Sequence, residues 1–406
     1  MKNKKYLAWF FSGVSINKTL TVNSFLINQL CENFEKIYFI NMDKFKLYKD
    51  WRFYKGEFSH GVDNKFKVPN NIEIFVPKTI KDFENFMIGK ELIAINNIGK
   101  FCADFKIHFL LAKHRIKHIQ LQNIGLSNTK QQIQKNFFWK NLIFKFKKNC
   151  SYKLIVLLSN LKLVPKIQIR FTSSSEIIKS INNSIIKKIL YKLKLFYVKE
   201  LVLINSYAFD IYKKTKMEIS ENQIVLLDFN FNQPEIIRFE GNFDEKKIEK
   251  HYYYLNKLIN NLSVMYEKKI IICIHPKDNV KLKKKYFPNL DVVQYETREN
   301  IYKAFLVLFF ETSAIVDAIL LKKRILYLTS NFFSKNVNSL GRGYVYKAGL
   351  LEINTKDEIK IDKNKLLLKL DNAKENYSKY IKSYIASDGN NIGYEKIIRT
   401  LKERFF

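Results

Sequence analysis

The chain has 406 residues, a formal net charge of +33 at pH 7 and 47% hydrophobic residues. This length suits two domains with sizeable cores, and the 12 Gly and 6 Pro argue against long linkers or disorder. The charge implies an anionic partner, which is a membrane surface, a nucleic acid or a phosphorylated substrate. The 4 cysteines show no CxxC spacing, so we expect a reduced cytoplasmic protein without a disulfide framework or a zinc site.

Short apolar runs alternate with segments of helical period along the first half of the chain. Strands are predicted at residues 6–11, 36–41, 72–77, 91–96, 118–122 and 201–205. Helices fit between several of them, notably at 80–86 and 101–114. This alternation predicts a doubly wound domain with a parallel sheet. The amino-terminal stretch MKNKKYLAWFFSG has too brief an apolar run for a secretory signal, so we expect it to form the first strand.

Two loops of this half carry candidate site residues. Ser12 and Gly13 follow the first strand, where small residues let the backbone approach a ligand closely, although a plain turn is the alternative. The long loop 43–71 carries His60 and Asp63, which are candidates for a catalytic base or are ordinary solvated side chains.

Residues 135–200 form a strongly basic segment. It contains 15 Lys or Arg against two acids, interleaved with aromatic and aliphatic residues as in KNFFWKNLIFKFKKN and IIKKILYKLKLFY. This composition is typical of helices that lie on anionic membranes. Ordinary helices with solvated lysines are one alternative and nucleic-acid binding is another. No recognised nucleic-acid motif accompanies the charge, so we expect no nucleic-acid partner.

The second half also reads as a parallel sheet with intervening helices. Strands are predicted at 224–228, 269–274, 291–295, 306–310 and 324–328, with a long helix at 243–268. Two polar breaks follow these strands: His275-Pro276-Lys277 after IICI, and Glu311-Thr312-Ser313 after LVLFF. Ligands of open α/β sheets bind outside the carboxyl ends of strands, where a helix start presents N–H groups to an anion. Both breaks are therefore predicted to hold a phosphate.

The order of these features resembles bacterial surface-polysaccharide glycosyltransferases of the GT-B fold, including sialyl-, Kdo- and CDP-glycerol transferase-like enzymes. A strand ends in His-Pro and a basic residue; a later strand ends in a hydroxyl pair before a helix containing Asp; a basic residue and an apolar strand follow. The segment IVLLDFNFNQPE also resembles one found upstream of the His-Pro strand in such families. The resemblance covers mainly residues 224–330 and depends on no single motif.

Carried onto this sequence, the resemblance places His275 on the donor nucleotide, with Pro276 shaping the turn and Lys277 stabilising the departing phosphate. A structural histidine at a strand end is the alternative. Thr312 and Ser313 would hold the donor phosphate, with simple helix capping as the alternative. Glu311 departs from the hydroxyl-rich form of this break and is assigned to a ribose hydroxyl. The other donor-site candidates are Ser12, Gly13, Asp228 and Asp317, and the candidate bases are His60, Asp63 and Asp104.

The predicted fold class is α/β, with two Rossmann-like domains in a GT-B-like arrangement and a basic amphipathic helical insertion in the first. Residues 1–217 are predicted as the acceptor domain, with the basic segment at 130–200, and residues 218–406 as the nucleotide-donor domain with C-terminal helices. The last of these helices is a candidate to pack back on the first domain.

The predicted activity is transfer of a sugar from a nucleotide sugar to a glycan or glycolipid acceptor of a capsule or lipopolysaccharide. The expected location is the cytoplasm, peripheral on the anionic inner face of the membrane. No cofactor is expected, and no metal is implied because no DxD pair follows a strand. A nucleotide-sugar 2-epimerase and a non-catalytic scaffold of polysaccharide assembly are the alternatives.

Overall fold

The computed structural model describes most of both predicted domains. The described residues are 6–11, 20, 23–41, 69–96, 105–122, 154–193, 197–231, 244–275, 278–335, 337–357 and 362–405. Several predicted site residues lie outside these ranges and stay predictions: Ser12, Gly13, His60, Asp63, Asp104, Pro276 and Lys277. Residues 130–153 of the basic segment also lie outside them.

The first sheet has seven parallel strands in the order β3-β2-β1-β4-β5-β6-β7. They span Tyr6–Phe11 (β1), Lys36–Asn41 (β2), Ile72–Phe75 (β3), Leu92–Asn96 (β4), Lys117–Gln122 (β5), Ile167–Thr172 (β6) and Val198–Leu203 (β7). Leu7 and Trp9 of β1 belong to one buried cluster, whereas Ala8 belongs to another. Because side chains alternate along a strand, both faces of the sheet are covered, which explains the nearly continuous apolar runs.

Helices lie between the strands of this sheet in the described part of the chain. They are Ser24–Asn33 (α1), Ile80–Met87 (α2), Phe105–Lys113 (α3), Ser175–Asn182 (α4), Ile185–Lys192 (α5) and, after β7, Tyr207–Lys214 (α6), and residues 154–160 are helical as well. The start of α2 is a capping box: Thr79 Oγ1 accepts the Asp82 N–H at 3.1 Å, and the Thr79 N–H donates to Asp82 Oδ2 at 2.9 Å.

The second sheet has six parallel strands in the order β10-β9-β8-β11-β12-β13. They span Gln223–Leu227 (β8), Lys269–Ile274 (β9), Asp291–Gln294 (β10), Ala304–Phe309 (β11), Arg324–Thr329 (β12) and Leu351–Asn354 (β13). Every residue of β8 is buried, as expected for the centre of a sheet with helices on both faces.

Helices lie between the strands of the second sheet and after its last strand. They are Glu245–Tyr266 (α7), Val280–Tyr286 (α8), Thr297–Tyr302 (α9), Ile315–Leu320 (α10), Arg342–Ala348 (α11), Lys363–Ala373 (α12), Tyr377–Tyr380 (α13) and Gly393–Phe405 (α14). In α7, Tyr252, Leu255 and Ile259 recur every three or four residues and are buried in the core of the second sheet. The helix ends at Glu267, whose left-handed backbone (φ 55) terminates it.

The chain divides into two compact units. The first comprises Met1–Asn123, Phe137–Ile211 and Ala386–Phe406, and the second comprises Ile124–Asn136 and Tyr212–Ile385. The predicted ranges 1–217 and 218–406 differ from these units at residues 124–136, 212–217 and 386–406. The last of these segments belongs to the first unit because Tyr394, Ile397 and Leu401 of α14 bury their side chains in the core of the first sheet.

The α/β class with two parallel sheets is confirmed, whereas the basic helical insertion stays a prediction. Within its described part, residues 154–193 and 197–200, the strand β6 and the start of β7 alternate with helices α4 and α5. This part of the segment therefore supplies strands to the first sheet as well as helices.

Candidate functional site

The second sheet reverses its strand order between β8 and β11. The chain adds β9 and β10 on one side of β8, and β11 then pairs with the other side of β8. In open parallel sheets, such a reversal leaves a crevice outside the carboxyl ends of the two strands, because their connecting helices leave to opposite faces. Asp228 and Phe229 follow β8, and Glu311 and Thr312 follow β11. Predicted site residues therefore come from both strands of the reversal.

The residues after β11 pass from the core to the surface. Phe310 is buried, Glu311 and Thr312 are half-buried, and Ser313 is exposed. Thr312 Oγ1 accepts the Ala314 N–H at 3.2 Å, so this hydroxyl stabilises the turn that leads into α10. Because α10 has only 6 residues, the side-chain hydroxyls rather than the helix macrodipole are the groups available to an anion here.

A close backbone approach supports the end of β11. A Cβ atom added at Gly341 would overlap the Phe310 carbonyl oxygen and the Tyr327 ring. The Tyr327 hydroxyl donates to the Asn338 carbonyl oxygen at 2.6 Å, and Asn338 Oδ1 accepts the Ser330 N–H at 2.9 Å. The loop after β12 is thereby fixed against the strand end that carries Glu311 and Thr312.

His275 directly follows β9 and is half-buried. Its carbonyl oxygen accepts the Asp278 N–H at 2.8 Å. Gln294 of β10 donates through Nε2 to the Asp278 carbonyl oxygen at 3.0 Å. Gln294 Nε2 also donates to the His275 carbonyl oxygen at 3.4 Å, so the neighbouring strand is bonded to the main chain at both His275 and Asp278.

Asp228 lies in the interior, where it meets a buried lysine of α8. Lys283 Nζ is 2.5 Å from Asp228 Oδ2 and 3.1 Å from Asp278 Oδ2, and it donates to the Phe229 carbonyl oxygen at 3.0 Å. Lys283 Nζ also donates to the Tyr252 hydroxyl, which in turn donates to Asp228 Oδ2 at 3.0 Å. The side chains of Lys283 and Asp228 are 2% and 0% exposed. Through Lys283, this network joins Asp228 and Phe229, which follow β8, to Asp278, which lies beyond the end of β9.

The electrostatics of this network follow from its burial. Burial raises the pKa of the Asp278 carboxyl, and the Lys283 ammonium works against that rise. Burial also raises the pKa of Tyr252 well above its usual value, and the neighbouring Asp228 carboxylate adds to the rise. Tyr252 therefore stays protonated and acts as a hydrogen-bond donor to Asp228.

His251 packs beside the network in an aromatic cluster. Its Nδ1 is 3.1 Å from Ser330 Oγ, and its ring centroid is 4.6 Å from that of Phe333 and 5.3 Å from that of Phe310. Burial lowers the pKa of His251 to about 3, and the Lys283 charge contributes to the shift. The His251 imidazole is therefore neutral, has no access to solvent, and packs against Phe310, the residue that precedes Glu311.

Asp317 of α10 is also interior, and it forms an ion pair with α9. Arg298 Nε lies 3.3 Å from Asp317 Oδ2. Burial raises the pKa of the Asp317 carboxyl, while the Arg298 charge lowers it. The carboxylate is thus directed to Arg298, on the helix that precedes β11.

The sequence did not single out Lys283 or His251. A signal for Lys283 exists, because it stands at helical spacing from Val280 and Phe287 and so occupies the apolar face of α8. Its neighbours Lys284 and Lys285 are exposed, and the run KLKKK by itself reads as a solvated face. His251 directly precedes Tyr252 on α7 but falls outside the apolar spacing noted there.

The first sheet has the same reversal, between β1 and β4. The predicted residues Ser12 and Gly13 follow β1 in sequence but lie outside the described residues. The carboxyl ends of β6 and β7 are covered by the C-terminal segment: Asn205 Nδ2 donates to the Gly389 and Asn391 carbonyl oxygens at 2.8 and 2.6 Å.

Among the described residues, no helix combines the length and the apolar content needed to cross a bilayer. Nor do three His, Cys, Asp or Glu side chains among them converge as metal ligands would.

No protein-family model matches the sequence, and no curated protein matches it. Solved structures do. A variant of the wall teichoic acid polymerase TagF aligns with 100% of this chain and 90% of that chain, at 10% identity and a TM-score of 0.51. The TagF variant soaked with CDPG aligns over the same shares at 10% identity and a TM-score of 0.50. The fold is GT-B-like.

A complex of UDP-GlcNAc 2-epimerase from Methanocaldococcus jannaschii with UDP-GlcNAc and UDP aligns with 98% of this chain and 99% of that chain. Its identity is 14% and its TM-score is 0.48. Because identities of 10–14% do not carry a substrate from one protein to another, the substrate of the present chain is argued from its own residues.

Proposed function

We propose that this chain is a metal-independent GT-B-type glycosyltransferase. It would transfer a sugar, or a sugar-like unit, from a nucleotide-activated donor to a surface glycan or glycolipid acceptor at the inner face of the membrane. The observation that carries the proposal is the strand reversal of the second sheet, with hydroxyl groups after β11 and His275 after β9. The TagF likeness adds support, since a protein named as a wall teichoic acid polymerase and soaked with CDP-glycerol has this fold.

The residues at this edge offer complementary contacts to a nucleotide donor. The Ser313 and Thr312 hydroxyls and the His275 ring are suited to phosphate oxygens, and Glu311 is suited to a ribose hydroxyl. Lys277 follows His275 in sequence and would stabilise the charge that develops on the departing phosphate. Asp228 and Asp317 would act from the interior, by positioning the segments that bear these groups.

The proposed reaction breaks the bond between the anomeric carbon and the nucleotide phosphate oxygen. A new bond forms between that carbon and an acceptor hydroxyl, and the nucleotide phosphate retains the bonding electron pair. A base takes the proton of the acceptor hydroxyl. His60, Asp63 and Asp104 are the proposed candidates for that base, all from the first half of the chain.

Donor binding tests the proposal directly. Thermal shift of the purified protein is measured with UDP-, GDP-, CMP- and CDP-linked donors, for the wild type, His275→Ala and Ser313→Ala. We expect donors of one nucleotide class to raise the melting temperature of the wild type. Each variant should bind those donors about tenfold more weakly or worse, since a hydrogen bond to a charged group contributes about 1.5–3 kcal/mol.

Lys281→Ala is the matched control, because Lys281 is an exposed residue of α8. Its donor response should equal that of the wild type. A folded wild-type protein that responds to no donor would contradict the transferase proposal and favour a non-catalytic scaffold. If the bound donor is converted only to its epimer at carbon 2 of the sugar, without transfer to an acceptor, the 2-epimerase would be favoured.

A further inference from the structure

The helix α5 turns its apolar stripe toward solvent. Among the described residues it buries no side chain. The aliphatic side chains of the helix, and that of the leucine that follows it, are all exposed: Ile185 by 80%, Ile186 by 71%, Ile189 by 51%, Leu190 by 37% and Leu193 by 62%. An amphipathic helix of a globular protein normally directs this stripe to the core. An exposed stripe of this kind marks a surface with a partner.

The stripe is continuous around the helix. At about 100° per residue, Ile185, Ile189, Leu193, Ile186 and Leu190 fill an arc of about 140°. Tyr191 falls on the opposite side, where its hydroxyl oxygen accepts the Leu201 N–H of β7 at 3.3 Å. The helix is therefore attached to the first sheet by the face that lies away from the stripe.

Lysines border the stripe on both sides. Lys188 and Lys192 lie next to Ile185, and Lys187 lies beyond Leu190 and donates to Ser180 Oγ of α4 at 2.7 Å. The helix IIKKILYK contains no acidic residue. Aliphatic side chains between lysines match a lipid surface, where acyl chains receive the aliphatic groups and anionic headgroups receive the ammonium groups. A nucleic acid would use the lysines and leave the aliphatic stripe in water.

We propose that α5 is a membrane-docking helix, which lies in the headgroup region of an anionic bilayer with Ile185, Ile186, Ile189 and Leu193 against the acyl chains. The charge of the whole chain, +33, has the sign that such a surface requires. This surface is independent of the donor chemistry proposed above, so either can fail without the other.

Vesicle flotation of the full chain tests the inference. The probe is a vesicle of phosphatidylglycerol and phosphatidylcholine in equal parts, compared with phosphatidylcholine alone. We expect binding only to the first, and binding that weakens as salt is added. The double variant Ile185→Ser with Ile189→Ser should lower the partition constant about tenfold or more, since these side chains lose their apolar contact. Lys188→Gln and Lys192→Gln should each lower it about fivefold.

The matched control is Val264→Ser with Leu368→Ser, which removes apolar groups that are 80% and 62% exposed in the second unit. Its partition constant should equal that of the wild type. Thermal unfolding verifies that all variants are folded. For the wild type alone, hydrogen exchange should show protection of α5 when anionic vesicles are added.

Several outcomes would overturn the inference. One is that the folded double variant Ile185→Ser with Ile189→Ser binds anionic vesicles as strongly as the wild type does. Equal binding to neutral vesicles, or unchanged exchange of α5 on vesicles that carry the protein, would do so as well. If the protein binds no vesicle but binds nucleic acid through Lys188 and Lys192, the partner of this surface is nucleic acid and the membrane proposal is wrong.

Discussion

The ammonium group of Lys283 is enclosed by Asp228, Asp278 and Tyr252 in the interior of the second unit. Removing such charges from water costs several kcal/mol per ion, which close and well-bonded partners offset. Removal of one partner leaves the other buried and uncompensated. The group also connects the residues after β8 with the turn after β9, so its loss should loosen both parts of the candidate crevice.

Replacement Lys283→Met should lower the free energy of unfolding by about 3–5 kcal/mol, because it leaves the Asp228 carboxylate buried without its cation. Urea unfolding measures the change. The double variant Asp228→Asn with Lys283→Met should lose less than the two single variants combined. Lys284→Met, at the exposed neighbouring position, should stay within about 0.5 kcal/mol of the wild type. Equal effects of Lys283→Met and Lys284→Met would contradict a buried ion pair.

Two buried histidines make stability depend on pH. Burial lowers the pKa of His251 and of His118 from 6.5 to about 3. Between these values the unfolded state binds more protons than the folded state, so stability falls as pH is lowered from 6.5. Each histidine should cost about 2 kcal/mol at pH 5. The raised pKa values of Asp278 and Asp317 act in the opposite direction, because the folded state retains protons on these carboxyls that the unfolded state has lost.

Urea unfolding at pH 7 and pH 5 isolates the histidine contribution. His251→Asn keeps a polar atom near Ser330 and removes the titration, so its stability should change less between the two pH values than that of the wild type. His118→Gln is the matching variant in the first unit, where His118 Nε2 is 3.1 Å from the Pro165 carbonyl oxygen. An unchanged pH response in both variants would exclude the buried histidines as its source.

At the scale of single residues, the sequence predicted which side chains follow a strand, but it did not predict which of them are buried. Thr312 and His275 follow apolar runs, so their positions at strand ends were predictable. Asp228 also follows such a run, but its engagement by Lys283 depends on α8, which begins more than 50 residues later. Helical spacing from Val280 and Phe287 places Lys283 on the apolar face of α8, but it does not identify Asp228 as the partner of the ammonium group.

At the scale of elements, the buried strands were predictable because their apolar runs are nearly continuous. The predicted runs 36–41 and 269–274 correspond to β2 and β9 as the structure has them. The strand β13, Leu351–Asn354, was not predicted, because four half-buried or exposed residues give no distinct period. The helix after Thr312 is shorter than the apolar run AIVDAILL, because residues 313 and 314 form a turn.

The start of α14 is held by a buried carboxylate of α6. Asp210 Oδ1 accepts the Gly393 N–H at 2.7 Å and Asp210 Oδ2 accepts the Tyr394 N–H at 3.1 Å. A Cβ atom at Gly393 would lie 2.5 Å from the Asn205 carbonyl oxygen, so the helix begins where only glycine fits. Two backbone donors at a helix start are thereby satisfied in the interior.

Replacement Asp210→Ala should therefore destabilise the docking of α14 by about 2 kcal/mol, and Gly393→Ala should also weaken it. Hydrogen exchange by mass spectrometry measures the effect as faster exchange across 393–405. Glu403→Gln, an exposed change in the same helix, should leave exchange as in the wild type. Unchanged exchange in Asp210→Ala would show that apolar packing alone holds the helix.

At the scale of the whole molecule, the sequence predicted alternation of strands and helices but not the order of strands. The reversals β2-β1-β4 and β9-β8-β11 depend on which edge each new strand joins, and that choice involves residues far apart in the chain. The partner of α14 was open for a similar reason. Its stripe of Tyr394, Ile397 and Leu401 suits any apolar face, so packing on the first domain was one candidate, and these three side chains lie in the core of the first sheet.

The return of residues 386–406 to the first unit constrains the order of events during synthesis. A ribosome releases the residues of the first sheet early, yet the side chains of α14 that complete its core emerge only after the second unit. The second sheet has all six of its strands once residue 354 is free. Although it is translated later, the second unit can thus form its native core sooner. The core of the first unit stays incomplete until α14 has been synthesised.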